Sequence, residues 1–154
     1  MRVLVADDDN DDFLILSDVF SSMDGEMKLD RATDGAQLIK YLYENVQSAN
    51  GLPDVVILDL NMPKVDGMQA LSVLRKEEAF KNIPVFVYTT SSDREQADRC
   101  RRSGANACFV KSCNYDTIRS FAEFVIRWAS RNDNLNEPDG SGNANRKPSS
   151  VWFR

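Results

Sequence analysis

The chain carries the run Asp7-Asp8-Asp9-Asn10-Asp11-Asp12 directly after an apolar stretch, where a nucleotide-binding α/β fold would place a glycine-rich phosphate loop. A run of this kind repels free phosphate and attracts a cation. A further acid, Asp59, follows the apolar residues 54–58 and opens the segment Asp59-Leu60-Asn61-Met62-Pro63-Lys64-Val65-Asp66-Gly67. Two other apolar runs end in Thr89-Thr90-Ser91-Ser92 and in Lys111. Carboxylate, hydroxyl and ammonium groups thus stand just beyond the apolar segments.

If Asp7, Asp8 and Asp59 meet in one crevice, their like charges raise one another's ionisation in pH unless a cation neutralises them. A hard divalent ion with oxygen ligands is implied. Mg²⁺ suits the site because it keeps several waters and takes one or two carboxylates plus phosphate oxygens, and the backbone carbonyl of Asn61 is close at hand. Mn²⁺ can substitute. Taken singly, each residue has a plainer explanation: Asp9, Asp11 and Asp12 cap the first helix and favour its dipole, Thr89 is a turn hydroxyl, and Lys111 is a solvated lysine. Their joint occurrence, one candidate group per apolar segment, is harder to explain that way.

The elements that must position these groups are legible in the periodicity. Residues 2–6, 54–58 and 84–88 are runs rich in Val, Leu and Ile, as expected of parallel strands buried on both faces, with shorter strands at 27–31 and 107–110. Between them lie helical faces: Phe13, Leu16, Phe20 and Met23; Ile39, Leu42, Tyr43 and Val46; Leu71 and Leu74 after Gly67; and Ile118, Phe121, Ala122, Val125 and Trp128. Asp93 followed by Gln96 suggests a capped fourth helix that ends at Gly104. Strand then helix, five times over, predicts a doubly wound, flavodoxin-like (βα)5 fold of the α/β class, with right-handed crossovers and parallel sheet order 2-1-3-4-5. In that order the ends of strands 1 and 3 are neighbours, so the three carboxylates converge where ligands bind in open α/β sheets.

Composition narrows the function classes. The 154 residues are 42% hydrophobic and 28% charged, ordinary values for one globular core. A net charge of −5 argues against a broad nucleic-acid footprint, and the basic residues Arg99, Arg101 and Arg102 form only a short run. The apolar runs are too short to span a bilayer, and the N-terminus lacks the pattern of a secretory signal, so a cytoplasmic protein is expected. Without any histidine the chain has no His-based triad and no phosphohistidine of its own. Cys100, Cys108 and Cys113 form no CxxC pair, so inert thiols are expected rather than disulfides or a zinc site. Residues 1–131 read as the domain. Residues 132–154 read as a polar tail whose apolar end is Val151-Trp152-Phe153-Arg154.

With Asp7-Asp8, the stretch Leu58-Asp59-Leu60-Asn61-Met62-Pro63 with Gly67, and then Thr89 and Lys111, residues 1–130 resemble the receiver domain of two-component response regulators. The resemblance implies that Asp59 accepts a phosphoryl group from a histidine kinase or phosphotransfer protein. It also implies that Asp8, Asp59 and the Asn61 carbonyl ligate Mg²⁺, that Asp7 acts largely through a metal-bound water, and that Thr89 and Lys111 hold phosphoryl oxygens. Phosphorylation would add on the order of two negative charges, draw Thr89 inward and shift the face formed by strands 4 and 5. Two positions depart from the family pattern. Ser112 stands where proline usually follows the lysine, and Cys108 replaces an aromatic residue, leaving Phe109 or Tyr88 to compensate.

Two other readings compete with a stand-alone phosphoacceptor. One is a phosphorylation-independent interaction or dimerisation module, with a homodimer suggested by Phe124, Trp128, Trp152 and Phe153. The other is an aspartyl-phosphate hydrolase, but such enzymes generally carry a second Asp two residues after the nucleophile, and here that residue is Asn61.

Overall fold

The computed structural model describes residues 1–133, except 24 and 50; the tail expected at 132–154 lies outside the described residues from 134 onward. Its elements run β1 (Arg2–Ala6), α1 (Asn10–Ser21), β2 (Lys28–Ala32), α2 (Gly35–Asn45), β3 (Val55–Leu58), α3 (Gly67–Lys76), β4 (Val85–Thr89), α4 (Arg94–Arg102), β5 (Ala107–Val110) and α5 (Tyr115–Asp133). The five strands form one parallel sheet in the order β2-β1-β3-β4-β5, as expected.

Alternation along the strands sends neighbouring side chains to opposite faces of the sheet. Val3, Val5, Val55, Ile57, Phe86, Tyr88, Ala107 and Phe109 pack with Leu16, Val19 and Phe20 of α1 and with Ile118, Phe121, Ala122 and Val125 of α5. Leu4, Ala6, Val56, Leu58, Val85, Val87 and Cys108 face α2, α3 and α4. Each fully buried Leu or Val contributes about 1.5–3 kcal/mol to this two-sided core.

Aspartates start the first four helices. Asp9 Oδ1 accepts from Asp11 N and Asp12 N at 2.8 and 3.2 Å, and Asp34 Oδ1 accepts from Gln37 N at 2.8 Å. Asp66 and Gln69 form a reciprocal capping box, each side chain accepting from the other's backbone N–H. Asp93 caps α4 as expected, although its carboxylate accepts from Glu95 N at 3.0 Å and no bond to Gln96 is needed. Beyond α4, Gly104 takes φ 95°, a left-handed turn that glycine enters without strain.

The face expected for α2 is corrected. Leu38 and Leu42 are its buried residues, with Gly35, while Tyr43 and Val46 are exposed. Two stripes at spacings of three and four overlap along this helix, and docking on the sheet selects the one through Leu38. Tyr43 instead lays its ring edge-on against Phe80, 4.9 Å between centroids. Cys100 and Cys108 are buried and Cys113 is exposed, and all three are free thiols.

Candidate functional site

Register decides what meets at the carboxyl ends of the strands. Ala6 pairs with Leu58, so Asp7 and Asp59 leave β1 and β3 side by side, and Asp59 N donates to Ala6 O at 2.9 Å. Thr89 pairs with Val110 at the end of β4, which makes Lys111 the next residue out; its backbone N–H donates to Thr89 O at 2.7 Å. Asp7, Asp59 and Thr89 are buried, whereas Asp8 is exposed at the mouth. One carboxylate oxygen from each of Asp7, Asp8 and Asp59 lies within 4.8 Å of the other two.

Lys111 Nζ reaches into this cluster with only 8% of its side chain exposed. It lies 2.8 Å from Asp7 Oδ2, 2.8 Å from Asp12 Oδ2 and 2.9 Å from Asp59 Oδ2. An ammonium has three protons to donate, and each finds a carboxylate. Burial pushes the pKa of Lys111 down, but its hydrogen bonds to Asp12, Asp7 and Asp59 outweigh this and hold it above the ordinary lysine value. Burial likewise raises the pKa of Asp7, against the hydrogen bonds from Lys111 and from Asp9 N, the latter at 2.9 Å.

The remaining expected residues are close by. Asn61 donates its backbone N–H to Asp59 Oδ1 at 3.2 Å, which orients the carboxylate. The hydroxyl of Thr89 accepts a long bond, 3.5 Å, from Ser91 N. The loop after Asp59 is drawn back under the strand: Gly67 N donates to Leu60 O at 3.0 Å, and a Cβ on residue 67 would stand 2.2 Å from Asp59 O. The same loop is clamped to the start of α2 by Lys64 Nζ on Asp34 Oδ2 at 2.9 Å and by Gly35 N on Val65 O at 3.0 Å.

Two residues and one ion pair escaped the sequence reading. Asp12, read as a helix-dipole acid, binds Lys111; its place in the first turn of α1, directly after the Asp7-Asp8 strand end, is the signal that points it at the same crevice. Arg31, at the end of β2, donates from Nη2 to Asp7 O and Asp8 O at 3.2 and 3.1 Å and from Nη1 to Asn10 Oδ1 at 2.7 Å. An arginine beside β1 in a 2-1 strand order was the available clue. The Asp34–Lys64 clamp had none, since its partners are 30 residues apart.

Neither Tyr88 nor Phe109 shares the face of the sheet that Cys108 occupies. Both side chains face α5, where Tyr88 stacks on Phe121 at 4.5 Å and Phe109 lies 4.8 Å from the same ring. Cys108 points to the other side of the sheet, toward α4 and beside Cys100.

The response regulator receiver domain family matches residues 3–123. The chain belongs to that family. Among curated proteins, a receiver relative, the probable chemotaxis protein CheY of Rhizobium etli, is 30% identical over 126 residues, covering 82% of this chain and 92% of that protein. The sensor histidine kinase RcsC of Escherichia coli K12 is 31% identical over 119 residues, 77% of this chain but only 12% of the kinase. Among solved structures, the Mn²⁺-bound form of response regulator Rcp1 superposes with a TM-score of 0.73 at 25% identity, covering 80% of this chain and 93% of that one. Receiver domains accept a phosphoryl group from a histidine kinase and signal by it, and they bind a divalent metal. The all-oxygen cluster of Asp7, Asp8 and Asp59 in this receiver fits such an ion. Among the described residues no helix is long and apolar enough to cross a membrane.

Proposed function

We propose that Asp59 is the phosphoacceptor of this receiver and that Mg²⁺, with Mn²⁺ as a substitute, is held by Asp7, Asp8, Asp59 and the Asn61 carbonyl. The observation that carries the proposal is the meeting of three carboxylates with the buried ammonium of Lys111. Asp59 attacks phosphorus in line; an O–P bond forms as the bond to the donor's leaving group breaks and the electron pair departs with that group. When bound, the metal supplies charge neutralisation for the transferring group. Lys111 donates to a phosphoryl oxygen, Thr89 turns its hydroxyl toward another, and Asn61 N–H keeps Asp59 aimed. The domain also promotes hydrolysis of its own aspartyl phosphate, water forming a bond to phosphorus as the bond to Asp59 breaks and inorganic phosphate leaves; a bound metal would neutralise charge in that step, and the domain does not act as an enzyme on other substrates.

The donor is the phosphohistidine of a histidine kinase or phosphotransfer protein, met in the cytoplasm. Leu14 and Ile15, exposed apolar residues on the first turns of α1, offer that partner a surface beside the pocket. Output passes through protein contacts and not through nucleic acid, in keeping with the net charge of −5 and with Glu95 and Asp98 among the arginines of α4. Residues 1–131 carry this activity, and residues 132–154 form a polar appendage to it. A homodimer through α5 is part of the proposal. Phe124 and Trp128 are partly buried against Phe86, each 5.4 Å from its ring, so they offer less free apolar surface than the sequence suggests; Trp152 and Phe153 lie outside the described residues. Solution mass before and after deletion of residues 132–154 checks this, with an unchanged monomer opposing it.

Incubation with acetyl phosphate and Mg²⁺, followed at once by intact mass measurement, tests the central proposal. Wild type gains one phosphate and Asp59→Asn gains none; a folded wild type that stays unmodified overturns the assignment. The alternative, a phosphorylation-independent interaction module, is favoured by Cys108, which leaves no aromatic ring of β5 on the α4 side of the sheet. Partner affinity unaffected by Asp59→Asn would support that second reading.

A further inference from the structure

Lys111 spreads its three protons over three carboxylates, and only two of these, Asp7 and Asp59, belong to the cluster suited to a metal. The third, Asp12, sits in the first turn of α1 with 37% of its side chain exposed, on the solvent side of the ammonium. Around the pocket the carboxylates of Asp7, Asp8, Asp12 and Asp59 stand against two cations, Lys111 and Arg31, leaving two formal negative charges before any metal binds.

An incoming phosphodonor is itself anionic and takes a hydrogen bond from Lys111. Asp12 opposes it twice, through its charge and by holding one of the ammonium's protons. We propose that Asp12 is a specificity-determining residue that restrains the reaction of this receiver with small, free anionic phosphodonors, leaving a protein-bound donor, whose docking contacts offset the repulsion, as the effective one. The proposal rests on the assignment of Asp59 as phosphoacceptor. It differs from a positioning role, in which Asp12 would steer Lys111 toward phosphorus and its loss would slow the reaction.

The test uses acetyl phosphate at saturating Mg²⁺ with wild type, Asp12→Asn and Asp12→Glu. In each case an O–P bond to Asp59 forms while the phosphorus bond to the acetate oxygen breaks and acetate leaves with the electron pair. Removing one nearby charge should raise the second-order rate about five-fold in Asp12→Asn. The gain should appear as a lower half-saturating donor concentration more than as a higher maximal rate, and beryllofluoride should bind tighter by a similar factor without any turnover. Asp12→Glu, which keeps the charge but moves it, should gain less than Asp12→Asn. An Asp12→Asn rate or beryllofluoride affinity equal to or below wild type overturns the inference while leaving Asp59 as phosphoacceptor. Failure of the folded wild type and of Asp12→Asn alike to take phosphate overturns both.

Discussion

Gly67 closes onto the backbone of Asp59: a single methyl group on residue 67 would lie 2.2 Å from Asp59 O and 2.8 Å from Leu60 Cα. No real Cβ contact is that short, and the neighbouring atoms are backbone that cannot swing aside. The eight-residue spacing between this acid and this glycine therefore has a steric cause, in that α3 must begin against the strand tip it follows.

Gly67→Ala should cost about 1–3 kcal/mol of stability, the usual penalty for an overpacked site. Because the displaced atoms belong to Asp59, the folded fraction should also take phosphate from acetyl phosphate more slowly than wild type. Chemical denaturation and intact mass measure the two effects, and a variant of wild-type stability would contradict the steric account.

Lys111 occupies, 2.8 and 2.9 Å from Asp7 and Asp59, the space where a divalent ion's charge is also drawn. Lys111→Met should therefore bind Mg²⁺ about ten-fold more tightly, roughly 1.4 kcal/mol, and yet accept phosphate slower by on the order of 10²-fold. Calorimetric titration with Mg²⁺ alone reads the first effect. Weaker metal binding in this variant would show that the lysine organises the carboxylates more than it competes for them.

Arg31 holds the carbonyls of Asp7 and Asp8 and the side chain of Asn10 with one guanidinium. Arg31→Ala frees the loop that aims both acids, so Mg²⁺ affinity should weaken about 10-fold or more, as for loss of other groups that orient metal ligands. Arg31→Lys should restore little, because one ammonium cannot fork across the same acceptors.

Asp34 is nearly inaccessible at 1% and accepts from Gln37 N and from Lys64, which hold its carboxyl below the usual aspartate value of 3.8. A depressed folded-state pKa contributes stability above the unfolded value, and that contribution disappears as pH falls through the folded value. Asp34→Asn keeps a capping side chain but loses the ion pair to an exposed lysine, so near neutral pH it should lose no more than about 1 kcal/mol. The gap between variant and wild type should shrink below pH 3.8, as followed by urea midpoints across the acid range. A gap that stays constant with pH would remove the charge from the explanation.

The amino-acid order by itself determined the five alternating strands and helices, the sheet order, and the placement of Asp7, Asp8, Asp59, Asn61, Thr89 and Lys111 at strand ends. These follow from local rules: apolar runs bury, periods of two and of three to four select the element, and polar residues stop a strand. Only the tertiary structure decided which groups share protons and charge. Lys111 is 99 residues from Asp12 and 52 from Asp59, and Arg31 is 24 from Asp7. No local periodicity connects such pairs, because sheet register and helix docking bring them within 3 Å or so only after the chain has folded. The same cause explains the face of α2, where two overlapping stripes were compatible with the sequence and packing against the sheet chose Leu38 over Val46. It explains as well why Tyr88 and Phe109 face α5 and leave Cys108 alone toward α4: strand alternation fixes that they lie opposite Cys108, but only helix placement fixes which helix each side meets.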